Sequence, residues 1–247
     1  MSASDEWHAL SAFTPARVAL GRAGNGLPTK RVLEFQLAHA RARDAVNAPF
    51  DATAIAAALA PLPTILLETK TQNRIDYLMN PHSGRTLREP SRERLAPGPC
   101  DAVLVIADGL SSTAIHAHGA ALARCILAQA PGLTWAPIAI VGNGRVAIGD
   151  EVAQALNAEF AVVMIGERPG LSAADSVGLY LTRRPVAGVT CDSQRNCISN
   201  VRPGGLALDE AAYRLSWLLS QARTVGATGV ALKEDAPERP RLPDARP

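Results

Sequence analysis

Three continuous apolar segments of strand length stand out in the second half of the chain. They cover residues 101–108 (DAVLVIAD), 136–142 (APIAIVG) and 160–167 (FAVVMIGE). Continuous apolar runs of this length are typical of strands buried on both faces. Helical patterns at 113–129 and about 150–158 lie between them. This order predicts an α/β fold with a parallel sheet and right-handed crossovers.

Shorter patterns extend the prediction on both sides of this sheet. Strand-like runs at 63–69 (PTILLET), 177–182 (VGLYLT) and 187–191 (AGVTC) can add further strands. Residues 208–223 predict an amphipathic helix that closes the fold. Turn-forming residues dominate 73–100, which we expect to be mostly loop.

The two ends of the chain differ from this central pattern. Thr29 is expected to cap a helix with an apolar stripe that runs to about Val46, and a second helix is predicted at 51–60. The last residues combine four prolines with alternating charges and have little to bury, so we expect them to be disordered. The predicted division is an N-terminal extension with docking helices (1–95), a sheet domain (96–232) and a tail (233–247).

The composition argues against several classes of partner. The formal net charge is only +2, which is small for a protein that neutralises nucleic-acid phosphates, so we expect no nucleic-acid partner. No apolar run approaches the roughly 20 residues of a membrane span. The first ten residues lack the pattern of a secretory signal. We therefore expect no membrane association. Without a secretory signal, the four cysteines are expected to meet reducing conditions and to remain thiols.

Polar segments follow each of the three central predicted strands. They are 108–112 (DGLSS), 142–146 (GNGRV) and 166–170 (GERPG). Because the carboxyl ends of parallel strands open onto one edge of a sheet, we expect these segments to form one ligand crevice. The charged residues available to this crevice are Asp108, Arg145, Glu167 and Arg168.

Each of these segments also has a purely structural interpretation. Ser111, Ser112 or Thr113 can simply cap the following helix, which is the commoner role at such a position. Pro169 can simply fix the geometry of a turn. The coincidence of three such segments at one sheet edge favours a ligand site.

The segment GNGRVA, residues 142–147, raises a rival function. It matches the G-x-G-x-x-A pattern of dinucleotide-binding units, and Glu167 ends the next predicted strand, as such a unit requires. The pattern needs its second glycine at the start of a helix, whereas Gly149 followed by Asp150 predicts a helix that is capped later. An NAD-dependent oxidoreductase is thus kept as the alternative function, although the predicted start of the helix argues against it.

Cysteines and histidines give little support for metal or nucleophilic chemistry. Cys191 and Cys197 enclose five residues, which fits neither the C-x-x-C redox motif nor the usual zinc spacing. His116 and His118 point away from each other on the predicted helix. We therefore predict no catalytic residue and no metal ligand on this chain. Both cysteines are interpreted as small, largely buried and unreactive.

Four longer motifs resemble the light chain of ethanolamine ammonia-lyase. They are VIADGLSSTAI, GNGRVAIGDEV, VVMIGERPGL and CDSQRNCISNVRPGG. The segment ARVALGRAGNGLPTKRVLEFQLAHARARDAV is similar to the docking region of the same family. The similarity spans about residues 14–223, in the family's order. It implies the small subunit of an adenosylcobalamin-dependent enzyme that converts ethanolamine to acetaldehyde and ammonia by radical chemistry.

The resemblance also implies where the cofactor lies. In this family the heavy chain, or large subunit, is a β/α barrel that holds the substrate. The light chain has a Rossmann-like sheet that covers part of the cobalamin between the two chains. Val146, Glu167 and Cys197 match the positions at which the family's light chain contacts the cofactor. Arg145 and Asp108 are expected neighbours, and Cys197 would be a small, shape-fitting contact.

Assembly and location follow from the same resemblance. It implies a hetero-oligomer of several heavy and light pairs, in which this chain alone is inactive. No aspartate is followed two residues later by histidine, so the cofactor's own dimethylbenzimidazole is expected to stay on cobalt. Relatives in ethanolamine microcompartments carry a longer N-terminal targeting segment, and nothing similar precedes Phe13. We therefore expect a cytoplasmic enzyme outside any shell.

A subunit that serves assembly alone is a third interpretation of the function.

Overall fold

The computed structural model describes residues 9–14 and 16–238. Its helices are α1 (Thr29–Asn47), α2 (Ala52–Leu59), α3 (Arg74–Met79), α4 (Glu89–Glu93), α5 (Ser112–Ala114), α6 (Ala120–Gln129), α7 (Ile148–Leu156) and α8 (Leu208–Val225). Its strands are β1 (Thr64–Glu68), β2 (Ala102–Ala107), β3 (Ile138–Gly142), β4 (Phe160–Gly166), β5 (Val177–Arg183) and β6 (Asn196–Val201). A π-helical turn, Ile115–Gly119, joins α5 to α6. Of the predicted tail, residues 239–247 lie outside the described residues.

All six strands form one sheet in the order β1-β3-β2-β4-β5-β6. The first four strands in this order are parallel, and Val105 of β2 lies between Ala139 of β3 and Val163 of β4. β5 is antiparallel to β4, because the connection 167–176 is too short for the crossover of about a dozen residues that a parallel neighbour needs. β6 is in turn antiparallel to β5. The α/β class is confirmed, and the sheet is mixed.

Each face of the sheet carries an apolar core. Leu104 and Ile106 of β2 pack on one face with residues of α2, α6 and α8. Val103 and Val105 pack on the other face with residues of α7. Successive residues of a strand point to opposite faces, so a strand covered on both sides needs apolar residues at every position. The interpretation of the continuous apolar runs is therefore confirmed.

Two segments differ from the sequence prediction. Residues 73–100 were expected to be mostly loop, yet they contain α3 and α4. The Oδ1 atom of Asn73 caps α3 by accepting a hydrogen bond from the N–H of Asp76 at 2.9 Å. A helix this short shows its caps in the sequence but no recognisable periodicity. Residues 187–191 were expected to form a strand, and they form a turn instead.

The N-terminal helix α1 has the predicted position but not the predicted cap. Pro28 occupies the N-cap position, and no side chain caps the helix. Leu33, Phe35 and Leu37 on this helix are exposed. The sheet itself crosses the expected boundary at residue 95, since β1 belongs to it, and the division into domains stays a prediction. Among the described residues, no helix combines the length and apolar character that crossing a membrane requires.

A buried ion pair ties α7 to the antiparallel edge of the sheet. The helix begins at Ile148, two residues earlier than expected, and Asp150 is buried in its first turn. Arg195 forms two hydrogen bonds with this carboxylate, Nη1 to Oδ1 at 2.6 Å and Nη2 to Oδ2 at 2.7 Å. Its Nη1 also donates to Oγ1 of Thr182 at 3.0 Å. Both charged side chains are 2% exposed, so Asp150 is the buried counterion of Arg195, and the exposed Asp192 adds a longer contact at 3.4 Å.

We predict that Asp150→Asn lowers the free energy of unfolding by about 3 to 5 kcal/mol, because it removes the buried counterion of Arg195 and leaves only the exposed Asp192, at 3.4 Å. Urea denaturation of the purified chain measures this change. The matched control is Glu210→Gln, whose partner Arg214 lies at 2.8 Å in a partly exposed surface pair. That control is expected to cost less than about 1 kcal/mol. Equal losses in the two variants would contradict a structural role for the buried pair.

Candidate functional site

The three predicted loops meet at the carboxyl edge of the parallel strands and enclose a crevice of about 490 Å³. Gly109 and Leu110 come from the first loop, Arg145 and Val146 from the second, and residues 166–168 from the third. The prediction that these segments share one crevice is confirmed. The sheet places them together because β2 lies between β3 and β4.

The first and third loops are in direct backbone contact. The N–H of Leu110 donates to the carbonyl of Gly166 at 2.9 Å. Gly109 has a positive φ of 54°, and a Cβ atom there would overlap the Gly166 carbonyl. Only glycine combines this backbone conformation with this approach. Ser111 Oγ accepts a hydrogen bond from the N–H of Ala114 at 3.2 Å, so its helix-capping role is also confirmed.

The second loop is held by a residue that the sequence analysis missed. Tyr77 of α3 is fully buried, and its hydroxyl donates to the carbonyl of Gly144 at 3.1 Å. Its ring also lies against the guanidinium of Arg145, 4.0 Å from the ring centroid. Burial raises the pKa of the Tyr77 phenol well above its usual range, so the hydroxyl stays a donor. The caps of α3 were the available sequence signal for this element.

Asp108 is a buried anchor, and its predicted role as an available charge of the crevice was wrong. Its side chain is 3% exposed and its Oδ2 accepts a hydrogen bond from Nη1 of Arg74 at 2.8 Å. Burial raises the pKa of the Asp108 carboxyl to about 6, and the Arg74 guanidinium opposes that shift. Arg74 also donates to the carbonyls of Val46 and Gly109 at 2.8 and 2.9 Å. The pair therefore joins α1 and α3 to the first loop.

Glu167 lies in the crevice wall, and its side chain contacts both β5 and β6. Its Oε2 accepts a hydrogen bond from the N–H of Asn200 in β6 at 3.1 Å. Its Oε1 lies over Gly178 in β5, where an added Cβ would come within 3.2 Å of it. The side chain is half-buried. A carboxylate can accept several hydrogen bonds, so Glu167 can serve the fold and still present an acceptor to a ligand.

Cys197 lies beside the crevice and not in its lining. It sits in β6 directly opposite Tyr180 of β5, whose side chain lines the crevice. The expectation that Cys191 and Cys197 are largely buried was wrong, since both are exposed, and both are free thiols without a disulfide bond. Partial desolvation raises the pKa of the Cys197 thiol, while a hydrogen bond with Tyr180 opposes the shift. This thiol is therefore no activated nucleophile.

The dinucleotide interpretation does not fit this geometry. Ala147 is the N-cap of α7, so Gly144 lies ahead of the helix and its N-terminal amides. In a dinucleotide-binding unit, the strand that ends in the acidic residue lies next to the strand that precedes the glycines. Here β2 separates β3 from β4, and Glu167 bonds to Asn200 of β6. The alternative function as an oxidoreductase is not supported.

Comparison with known proteins identifies the relatives of this chain. The family model described as ethanolamine ammonia-lyase light chain matches residues 4–233. The chain is 49% identical over 240 residues to the ethanolamine ammonia-lyase small subunit of Ralstonia nicotianae, with 93% of this chain and 88% of the relative covered. It is 47% identical over 248 residues to that of Xanthomonas campestris pv. campestris, with 96% and 90% covered. It is 45% identical over 238 residues to that of Bradyrhizobium diazoefficiens, with 93% and 91% covered. The resemblance found in the sequence is thus confirmed, and the chain belongs to the ethanolamine ammonia-lyase light chain family.

Proposed function

We propose that this chain is the small subunit of an adenosylcobalamin-dependent ethanolamine ammonia-lyase and that its crevice covers part of the cobalamin at the contact with the large subunit. This proposal rests on one observation: in a chain of this family, three loops line one common crevice. The active particle would contain several pairs of large and small subunits. This chain would bind and orient the cofactor, and the large subunit would hold the substrate.

The chemistry of the crevice suits one part of a corrinoid. Its volume of about 490 Å³ lies within the range of about 300 to 1,000 Å³ for small-molecule sites. Leu110, Val146 and Ile165 supply apolar wall, Arg145 supplies hydrogen-bond donors and Glu167 supplies acceptors. A corrinoid combines an apolar ring system with amide side chains that donate and accept. In addition, Nε of Arg145 is buried without a hydrogen-bond partner, so the protein alone leaves a polar group unsatisfied.

The three proposed contact residues have distinct roles. Val146 would exclude water by packing against the cofactor, since it already packs at the edge of an apolar core. Glu167 would accept hydrogen bonds from amide groups through lone pairs that Asn200 leaves free. Cys197, beside Tyr180, would leave room through its small size. When bound, adenosylcobalamin supplies the radical that starts the conversion of ethanolamine to acetaldehyde and ammonia. The part of this chain would be to hold and shield that cofactor.

We predict that Glu167→Ala weakens cobalamin binding by the reconstituted two-subunit complex about tenfold, the equivalent of a lost charged hydrogen bond of roughly 1.4 kcal/mol. Titration of the complex with cyanocobalamin, followed by absorption, gives the dissociation constant. Glu89→Ala is the matched control, because Glu89 is an exposed carboxylate of α4 outside the crevice. Unchanged affinity in Glu167→Ala, with normal assembly on gel filtration, would instead favour a subunit that serves assembly alone.

A second prediction concerns size at Cys197. Cys197→Leu is expected to weaken cyanocobalamin binding by about tenfold, because overpacking a fitted surface typically costs about 1 to 3 kcal/mol. Cys197→Ala should keep the affinity within about twofold, since it stays small. Cys191→Leu is the control for adding the same side chain at an exposed position nearby. A large loss of affinity in Cys197→Ala would show that the thiol itself is needed, contrary to a contact through shape.

A further inference from the structure

Arg145 is held at three points before any ligand is present. Its N–H donates to the carbonyl of Gly84 at 2.8 Å, and its Nη2 donates to the carbonyl of Tyr77 at 3.0 Å. Its guanidinium lies against the Tyr77 ring at 4.0 Å. A Cβ atom on Gly84 would lie 2.9 Å from the carbonyl oxygen of Asn143 and 3.1 Å from Cγ of Arg145. The packing around this side chain therefore leaves it little freedom to move.

The same guanidinium carries an uncompensated charge in the crevice. Among the described residues, Arg145 forms no ion pair, and the neighbouring Asp108 is bound to Arg74. Glu167, the acidic residue in the crevice lining, accepts the N–H of Asn200. Nε of Arg145 is buried and has no hydrogen-bond partner. A guanidinium carries five N–H donors, and the protein atoms around this one leave part of that capacity unused.

Tyr77 is the residue on which this arrangement depends. It contributes the ring against which Arg145 lies, the carbonyl that Nη2 binds, and the hydroxyl that donates to Gly144 at 3.1 Å. Arg74 lies against the same ring at 4.8 Å. A planar guanidinium that stacks on an aromatic ring is oriented in a way that a lysine ammonium is not. Removing the ring would therefore loosen the orientation of the Arg145 guanidinium without changing its charge, although the hydrogen bonds to the carbonyls of Gly84 and Tyr77 would remain possible.

We propose that Arg145 binds an oxygen acceptor of the cobalamin and that Tyr77 is the positioning residue that orients its guanidinium. This inference rests on the proposed function, because it assigns residues to the same crevice. Two parts of the cofactor offer oxygen acceptors, the phosphodiester of its nucleotide loop and the carbonyls of its corrin amides. Both satisfy the same chemistry, since planar guanidinium donors pair well with oxygen acceptors, most strongly with an anionic one.

The test measures binding of two corrinoids to the reconstituted two-subunit complex. Cyanocobalamin carries both kinds of acceptor, whereas cobinamide lacks the nucleotide loop and its phosphodiester. Arg145→Lys is expected to weaken cyanocobalamin binding about tenfold, because lysine keeps the charge and loses the planar fork. A loss confined to cyanocobalamin assigns the contact to the phosphodiester, and a loss for both corrinoids assigns it to the amides. Arg85→Lys, at an exposed position in the neighbouring turn, should change neither.

A double-mutant cycle separates positioning from general structural damage. Tyr77→Leu is expected to weaken cyanocobalamin binding about tenfold in the wild-type background and by less than about twofold in Arg145→Lys, because Tyr77 acts through Arg145. Equal losses in both backgrounds would overturn the positioning role. Because loss of a buried ring can prevent folding, Tyr77→Phe is the second variant. It keeps the ring and should retain the affinity within about twofold, so a tenfold loss would also contradict positioning through the ring.

The outcomes also distinguish this inference from the function on which it rests. A wild-type complex that binds neither corrinoid would overturn the proposed function itself. A wild-type complex that binds cyanocobalamin normally, with an unchanged dissociation constant in Arg145→Lys, would overturn only the role assigned to Arg145. Assembly of each variant is checked by gel filtration with the large subunit.

Discussion

The site depends on the close backbone approach between the ends of β2 and β4. These strands are parallel neighbours, and the N–H of Leu110 closes the gap by donating to the carbonyl of Gly166. Two glycines, Gly109 and Gly166, make this contact possible, since a side chain on either would overlap backbone atoms of the other loop. This contact continues the pairing of β2 with β4, which ends at Ala107 and Ile165, and holds the first and third loops side by side in the crevice lining.

Buried charges fix the surroundings of that contact. Asp108 and Arg74 connect the first loop with α1 and α3, while Asp150 and Arg195 connect α7 with the strands beyond β4. A buried charge without its partner is costly, so each pair strongly favours one arrangement of the elements that it joins. Glu167 and Arg145 differ from these pairs because each lines the crevice. The same residue types thus serve the fold in one place and a ligand site in another.

The sequence predicted the central part of the fold well and its periphery less well. Continuous apolar runs identify β2, β3 and β4, because strands covered on both faces need apolar side chains at every position. The sequence pattern did not predict the short helix α3, since six residues give too little periodicity, although Asn73 and Asn80 are its N-cap and C-cap. The antiparallel direction of β5 follows from its short connection to β4 and from the pairing of the two strands, and the apolar pattern of a strand does not specify its direction.

The sequence by itself determined the α/β class, the three loops that share a sheet edge, and the family to which the chain belongs. It did so because burial patterns and long motifs are properties of consecutive residues. Only the tertiary structure decided which charged residues remain available. It buried Asp108 against Arg74, exposed Cys197 beside Tyr180, and placed Tyr77 under Arg145. These outcomes depend on contacts between residues far apart in the chain, and local patterns carry no information about such contacts.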